Sequence, residues 1–236
     1  MTTSAPTADR STGIGYREHG SGLWVGVSTP AGEPQRWADY LAGALRSYRR
    51  HGVETVLELD RVADGRSTTL LLTVHGRDGR VLGGMRAQGP YREADESHAV
   101  AEWAGHPGQD RVRAMVRDRL PGGVVEGKNG WVADDAEHRS ALARCLARGP
   151  LHAATLLGAR YALGTTAEHT LAMWTSTGAV AATDLPPAPY PDARYRTTVI
   201  WWDRRTWSAT ATGEHRRAVH AESAELFRGS LEQVPA

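Results

Sequence analysis

The sequence predicts one domain of the mixed α/β class, with an antiparallel front half and a β–α–β back half. An Asp-Gly turn signal at positions 78–79 separates two β-rich runs, 68–75 and 80–88, which makes these runs antiparallel neighbours. Farther along, a strand interrupted by glycines leads directly into a helical pattern at 136–148 and then into a strand at 160–166. The 236 residues suffice for one well-filled core and are too few to favour a second domain.

The remaining elements follow from periodicity and from turn residues. Apolar side chains at three- and four-residue spacing predict the first helix, and glycine at position 52 suits its end. We expect residues 1–20 to form a disordered tail and residues 21–236 to form the domain. Strands are predicted at 23–28, 53–60, 68–75, 80–88, 122–126 with a resumption at 131–133, 160–166, 179–183 and 195–202. Helices are predicted at 33–50, twice within 91–120, at 136–148, at 151–158 after a break at Gly149-Pro150, at 167–177 and at 214–231.

Composition excludes several classes of protein. The formal net charge of +1 gives no support for binding to nucleic acid or to anionic lipid. Cys145 is the only cysteine, so an intrachain disulfide is excluded, and a structural zinc site lacks ligands. The histidine spacings repeat no known metal-ligand set, and we predict no metal. No signal segment and no apolar run of about 20 residues is present, which favours a cytoplasmic protein.

The order of elements, with a glycine-broken central strand feeding into a helix, resembles the GNAT (Gcn5-related N-acetyltransferase) fold. Residues 126–132 read Glu-Gly-Lys-Asn-Gly-Trp-Val. They are similar to the pattern Glu-Leu-Ser-Arg-Phe-Ala-Val of acyl-homoserine-lactone synthases and long-chain N-acyl amino acid synthases, sharing its glutamate and its valine. Asparagine stands where that branch has arginine, and residues 135–142 contain no glycine, unlike the acetyl-CoA signature of other GNAT proteins.

This resemblance implies an acyl donor carried on coenzyme A or on a phosphopantetheine arm. A splayed strand leaves peptide groups free to pair with the amides of such an arm, and the N-terminus of the next helix attracts its phosphates. Arg111, Arg113, Arg117 and Arg119 form either a solvated basic face or a docking site for an acidic carrier protein. The residues predicted to bind the donor are Trp131, Val132, Ala133, His138 and Arg139.

Acyl transfer to an amine needs a base, a polarised carbonyl and an acid. Glu126 is the predicted base, with solvent exposure or pairing with Lys128 as the alternative reading. Asn129 is a candidate donor to the oxyanion, beside the backbone N–H groups near residues 130–132, and His169 is the candidate acid. We expect Trp174, Trp201 and Trp202 to line the substrate pocket, although core packing also accounts for tryptophans of this kind.

The sequence therefore predicts an N-acyltransferase that moves an acyl group from acyl-CoA or an acyl carrier protein to an amine of a small metabolite or amino acid. The alternative is a catalytically silent GNAT-like protein that binds a small molecule or a carrier protein. The bias toward arginine, alanine and glycine suggests a GC-rich bacterial genome, in which such enzymes commonly serve specialised metabolism.

Overall fold

The computed structural model describes residues 14–231. Within that range, no helix combines the length and the apolarity that a membrane span requires. The strands are β1 (Gly15–Arg17), β2 (Trp24–Ser28), β3 (Leu70–His75), β4 (Val81–Gln88), β5 (Val124–Val132), β6 (Tyr161–Ala167), β7 (Val180–Ala181) and β8 (Thr197–Asp203). The helices are α1 (Pro34–Arg50), α2 (Leu59–Val62), α3 (His98–Glu102), α4 (Gln109–Arg117), α5 (Arg139–Leu156), α6 (Leu171–Ser176), α7 (Trp207–Thr210) and α8 (Gly213–Leu231).

All eight strands form one sheet in the order β1-β2-β3-β4-β5-β6-β8-β7. Its neighbours are antiparallel except for β5 and β6, which are parallel. The predicted mixed sheet is confirmed, including the hairpin between β3 and β4. Gly79 adopts a φ of 82° in that turn and donates its N–H to the Gly76 carbonyl at 2.9 Å.

Helices cover both faces of the sheet. On one face, α1 packs over β3, β4 and β5, and α3 and α4 pack over β5, β6 and β8. On the other face, α5 runs across the middle of the sheet, with α6 and α8 beside it. The gap in the sheet that is described below lies between these two layers of helices.

One predicted break is wrong, because α5 runs without interruption through Gly149 and Pro150. A proline inside a helix removes one hydrogen bond, at a cost of about 3 kcal/mol. Every residue from Cys145 to Ala154 is buried, and this packing outweighs the local penalty. Gly149 allows the close approach, since a Cβ atom there would lie 2.2 Å from the sulfur of Met85.

Two further expectations fail at the front of the chain. Residues 53–60 form a 3₁₀ turn at Glu54–Leu57 followed by α2, and not a strand. Both edges of β3 are occupied, by β2 and β4, so no free edge is available for that segment, and Leu57 packs beneath α1 instead. The predicted tail also ends earlier than expected: Gly15–Arg17 pairs with β2, whereas residues 1–13 lie outside the described range.

A buried polar network fastens the two ends of the chain to α5. Arg148 donates to Glu18 Oε1 at 2.8 Å and, through Nε, to Glu222 Oε2 at 2.9 Å. His152 Nε2 lies 2.9 Å from the same oxygen of Glu222, which identifies His152 as a packed and hydrogen-bonded side chain. Although burial alone would raise the pKa of Glu222, hydrogen bonds from His152 and Arg148 lower it.

The packing of α1 on β5 gives a test of the fold. A Cβ atom added at Gly43 would lie 2.0 Å from Trp131 Cη2 and within 2.8 Å of two further ring atoms, so the whole indole or the helix must shift. We expect Gly43→Ala to lower the free energy of unfolding by about 1–3 kcal/mol in urea titration. Gly213→Ala is the control, since its nearest neighbours are flexible arginine ends at 3.5 and 3.7 Å. An equal effect of the two substitutions would contradict the close packing.

Candidate functional site

The central strand separates from its parallel neighbour soon after the two meet. Val124, Val125 and Glu126 pair with β6, and no residue of β5 beyond Glu126 does so. Both strands continue, β5 along β4 and β6 along β8. Asn129 adopts a left-handed φ of 52°, and the register with β4 shifts between Gly84 and Arg86. The predicted splay of the central strand is therefore confirmed.

A cavity of about 520 Å³ occupies the gap. Its first wall is β5 from Gly127 to Val132 and one face of α5, and its second wall is the end of β6, the start of α6 and the inward face of β8. This volume lies within the usual range for small-molecule sites. The α5 residues on the first wall are Arg139, Ala143, Leu146 and Pro150, which recur at helical spacing.

The cavity wall has an exposed polar part and a buried apolar part. Its exposed polar residues are His51, Arg139 and His169. Its almost fully buried apolar residues are Met85, Leu146, Ile200 and Trp202. Such a lining suits a ligand with a polar head and an apolar tail.

Glu126, the predicted base, is completely buried and is not on the cavity wall. Its Oε2 accepts hydrogen bonds from Tyr91 Oη at 2.8 Å, Ser97 Oγ at 3.0 Å and the His98 N–H at 2.9 Å. Its Oε1 accepts the Ala99 N–H at 3.1 Å. The carboxylate thus satisfies the N-terminus of α3, because the side chain of the N-cap residue, Ser97, donates to Glu126 and accepts no N–H of the helix. A role in proton transfer stays a prediction, whereas a positioning role follows from these contacts.

Lys128, the single lysine of the sequence, lines the cavity and belongs to a cluster of charged groups. Its ammonium contacts Glu102 Oε1, lies 2.9 Å from His98 Nδ1 and lies 3.7 Å from Glu126 Oε1. The predicted pairing of Lys128 with Glu126 is therefore only part of a larger set. His98 stands between two carboxylates, with Nδ1 2.9 Å from Glu102 Oε1 and Nε2 3.3 Å from Glu58 Oε2.

The charged cluster decides the ionisation of Glu102. Burial would raise its pKa, but the charge of Lys128 and the hydrogen bond of His98 lower it to about 2. One ligand atom each of His98, Glu102 and Glu126 lies within 4.8 Å of the others, a spacing that would suit a metal ion. The Lys128 ammonium already lies among these atoms, so the chain supplies its own cation there.

Asn129, the predicted oxyanion donor, lines the cavity. Arg86 Nε donates to its Oδ1 at 2.7 Å, and Tyr40 Oη donates to its backbone carbonyl at 2.8 Å. These hydrogen bonds fix the orientation of the Asn129 side-chain amide, and its Oδ1 is occupied by Arg86. Its Nδ2 lies 3.5 Å from the Val56 carbonyl, and the side chain also interacts with the Tyr48 hydroxyl, so a ligand would compete with these two groups for the amide N–H.

The residues predicted to bind the donor divide into two groups. Trp131, Val132 and Arg139 line the cavity, although the indole of Trp131 also packs on α1. Ala133 donates its N–H to the Leu82 carbonyl at 2.7 Å and is absent from the cavity wall. His138 caps α5 with a φ of 60° and pairs with Glu137 at 3.4 Å, outside the cavity.

Among the predicted acid and pocket residues, His169, Trp174 and Trp202 line the cavity. Trp202 donates its indole N–H to Thr177 Oγ1 at 2.9 Å and meets Trp174 edge to face. Trp201 does not line the cavity, and its assignment to the pocket is corrected. Successive side chains of a strand point to opposite faces, and Trp201 packs under the Arg119 guanidinium at 4.4 Å from the ring centroid.

Sequence reasoning missed Glu102, His98, Tyr48 and Tyr190 as members of the site. His98 and Glu102 stand four residues apart in a short helix, a spacing that also describes ordinary surface pairs. The available signal was the single lysine in a strand whose first and last residues are apolar, because a buried ammonium requires carboxylate partners.

Removing the ammonium tests the charged cluster. We expect Lys128→Met to lower the free energy of unfolding by about 3–5 kcal/mol at neutral pH, because it leaves buried carboxylates without a cation. Arg111→Met, which breaks an exposed ion pair with Asp184, is the control and should cost less than about 1 kcal/mol.

The loss of stability in Lys128→Met should depend on pH, and the direction of that dependence follows from the pKa of Glu102. In the wild type the folded-state pKa of Glu102 lies below its ordinary value of 4.5, so its contribution to stability is present above that value and is lost as pH falls toward 2. Without Lys128, burial raises this pKa instead. The deficit of Lys128→Met should therefore shrink between about pH 7 and about pH 4 in urea titrations, and a constant deficit would contradict the assignment.

Solved structures with this geometry share the GNAT fold. The acyl-homoserine lactone synthase BjaI, a CoA-dependent enzyme solved with MTA, aligns with a TM-score of 0.55 and 16% identity over 89% of this chain and 100% of its own. FeeM, an N-acyl amino acid synthase from uncultured soil microbes, aligns with a TM-score of 0.53 and 12% identity over 80% of this chain and 95% of its own. At such identities the likeness establishes the fold alone, and it confirms the predicted resemblance.

Sequence comparison gives a nearer relationship. No protein-family model matches the chain. The uncharacterized protein Rv1356c of Mycobacterium tuberculosis is 49% identical over 202 residues, which cover 86% of this chain and 77% of the relative. The uncharacterized protein Mb1391c of Mycobacterium bovis matches to the same extent. The chain therefore has the GNAT fold and belongs to the family of these mycobacterial proteins.

Proposed function

We propose that the protein is an N-acyltransferase that takes an acyl group from a pantetheine thioester and delivers it to the amine of a small molecule. The observation that carries this proposal is the gap between β5 and β6, which is filled by a cavity of about 520 Å³. A pantetheine arm laid along the free edge of β5 would pair with peptide groups that no neighbouring strand uses.

The apolar part of the cavity wall supports a donor with an acyl group longer than acetyl. Ile200 and Trp202 are almost fully buried there, and Gly164 adds no side chain to fill the space. A chain of several methylene groups would exchange water for these surfaces, with a gain of about 0.8 kcal/mol per methylene.

Arginines near the start of α5 support a donor that carries phosphates. A second depression of about 460 Å³ shares Trp131 with the cavity and is lined by Arg46, Arg50 and Arg80. Asp134 and Asp135 currently pair with Arg50 and Arg80, so a bound phosphate would compete with these carboxylates. This arrangement replaces the glycine-rich phosphate loop that the sequence lacks.

The proposed chemical roles follow from what lines the cavity. Asn129 Nδ2 is the candidate donor to the oxyanion, and His169 in the exposed polar part of the wall is the candidate acid for the departing thiol. Glu126 as the general base stays a prediction, and its hydrogen bonds to the N–H groups at the start of α3 give it a positioning role. A carrier-protein donor, a place in specialised metabolism and a cytoplasmic location stay predictions.

Donor binding and transfer are the direct test. Acetyl-, octanoyl- and palmitoyl-CoA, with free CoA as the control, are added to the full chain in a thermal shift assay. A thioester at 100 times its Kd should raise Tm by about 5–10 °C, and release of thiol in the presence of n-pentylamine should follow. No shift with any thioester would refute the proposal, and a shift without thiol release would favour the silent binding protein.

The apolar part of the wall predicts a change in donor preference. A Cβ atom at Gly164 would lie 3.4 Å from Trp202 and 3.6 Å from Ile200, so a larger side chain there must project into the cavity. We expect Gly164→Leu to lower kcat/KM for octanoyl-CoA by about tenfold or more relative to acetyl-CoA, with Gly164→Ala intermediate. An equal loss for both donors would place the acyl chain elsewhere.

A further inference from the structure

The carboxylate of Glu102 has one oxygen that no described residue uses. Its Oε1 contacts Lys128 and lies 2.9 Å from His98 Nδ1, whereas its Oε2 is buried without a hydrogen-bond partner. The side chain is 1% exposed, and Glu102 lines the cavity. A buried, ionised oxygen without a donor is costly, so this position calls for a ligand that brings one.

The surrounding charges define that ligand. Two buried carboxylates, of Glu102 and Glu126, stand beside the single ammonium of Lys128, and the more exposed carboxylate of Glu58 pairs with Arg61 at 3.2 Å. The guanidinium of Arg86 donates to Asn129 at 2.7 Å. The group formed by Glu102, Glu126 and Lys128 is therefore formally negative, and a second cation beside Lys128 would be attracted to it.

The position of the cluster connects it with acyl transfer. Lys128 belongs to the separated part of β5, the edge along which a thioester would lie under the proposed function. Tyr190 also lines the cavity here, with its ring edge-on to His98 at 6.4 Å between centroids. Burial, followed by the charge of Glu102, raises the pKa of Tyr190, so it stays a neutral phenol whose ring can face a cation.

We propose that Glu102 Oε2 binds the ammonium group of the acyl acceptor, and that the acceptor is a cationic amine without a carboxylate next to it. An α-carboxylate would be placed close to the buried carboxylates of Glu102 and Glu126 and would be repelled. This inference rests on the proposed function for its link to catalysis, but the binding of the amine can be measured separately. It distinguishes the protein from FeeM, which is an N-acyl amino acid synthase.

Calorimetric titration of the full chain with n-pentylammonium chloride tests the site without a donor. The wild type should bind pentylammonium more tightly than norleucine, which has the same amine and chain plus an α-carboxylate. Glu102→Gln puts an amide in place of the charged carboxylate and should raise the Kd for pentylammonium by about tenfold or more. Glu102→Asp, which keeps the charge, should recover part of the affinity.

Glu214→Gln is the matched control, because Glu214 lies on α8 with its side chain 67% exposed. It should leave the Kd unchanged. Circular dichroism of each variant reports folding, and Glu102→Asp keeps the test decisive if Glu102→Gln is unstable.

The two proposals fail in different ways. Equal affinity of the wild type and the folded Glu102 variants for pentylammonium, or no measurable binding by the wild type, would overturn the acceptor site while leaving donor binding intact. Failure of every CoA thioester to bind would overturn the acyltransferase and leave the amine site standing.

Discussion

The separation of β5 from β6 is the constraint on which the site depends. Each strand keeps its outer partner, β4 or β8, so the sheet stays continuous on both sides of the gap while the inner edges carry unpaired peptide groups. Side chains from the flanking elements, notably Pro150 from α5 and Trp202 from β8, line the gap and hold β5 and β6 apart. Closing it would require α5 to leave the sheet, against the burial of ten consecutive helical residues.

The gap also determines where charge can be buried. Lys128 stands just beyond the last pair with β6, and α3 brings carboxylate and imidazole groups to it. Glu126 holds α3 in place by accepting its first N–H groups. Removing the ammonium of Lys128 or the carboxylate that it faces leaves a buried ion without a partner. The stability of the domain is therefore coupled to the geometry of the cavity.

Local signals were enough for most of the fold. The Asp-Gly turn, the periodicity of α1 and the glycines around residue 127 each act over a few residues, and each prediction was confirmed. The sequence did not predict a continuous α5, because proline normally ends a helix. The packing of Gly149 against Met85 explains this exception. The charged cluster joins residues up to 70 positions apart, from Glu58 to Lys128, and no local pattern reports that contact. Trp201 was misplaced because alternation separates adjacent strand residues without saying which face holds the cavity.

Comparison of the two buried ionic clusters shows why one is structural and the other is suited to a ligand. Around Arg148, all four carboxylate oxygens of Glu18 and Glu222 accept hydrogen bonds, and the cluster lies between α5, α8 and β1 without lining the cavity. Around Lys128, one oxygen of Glu102 is unused and its residue lines the cavity. Both clusters carry the desolvation cost of buried ions, but only in the first does every oxygen of the buried carboxylates have a partner within the chain. The second becomes fully satisfied when a donor from outside the chain binds, as a cationic substrate would.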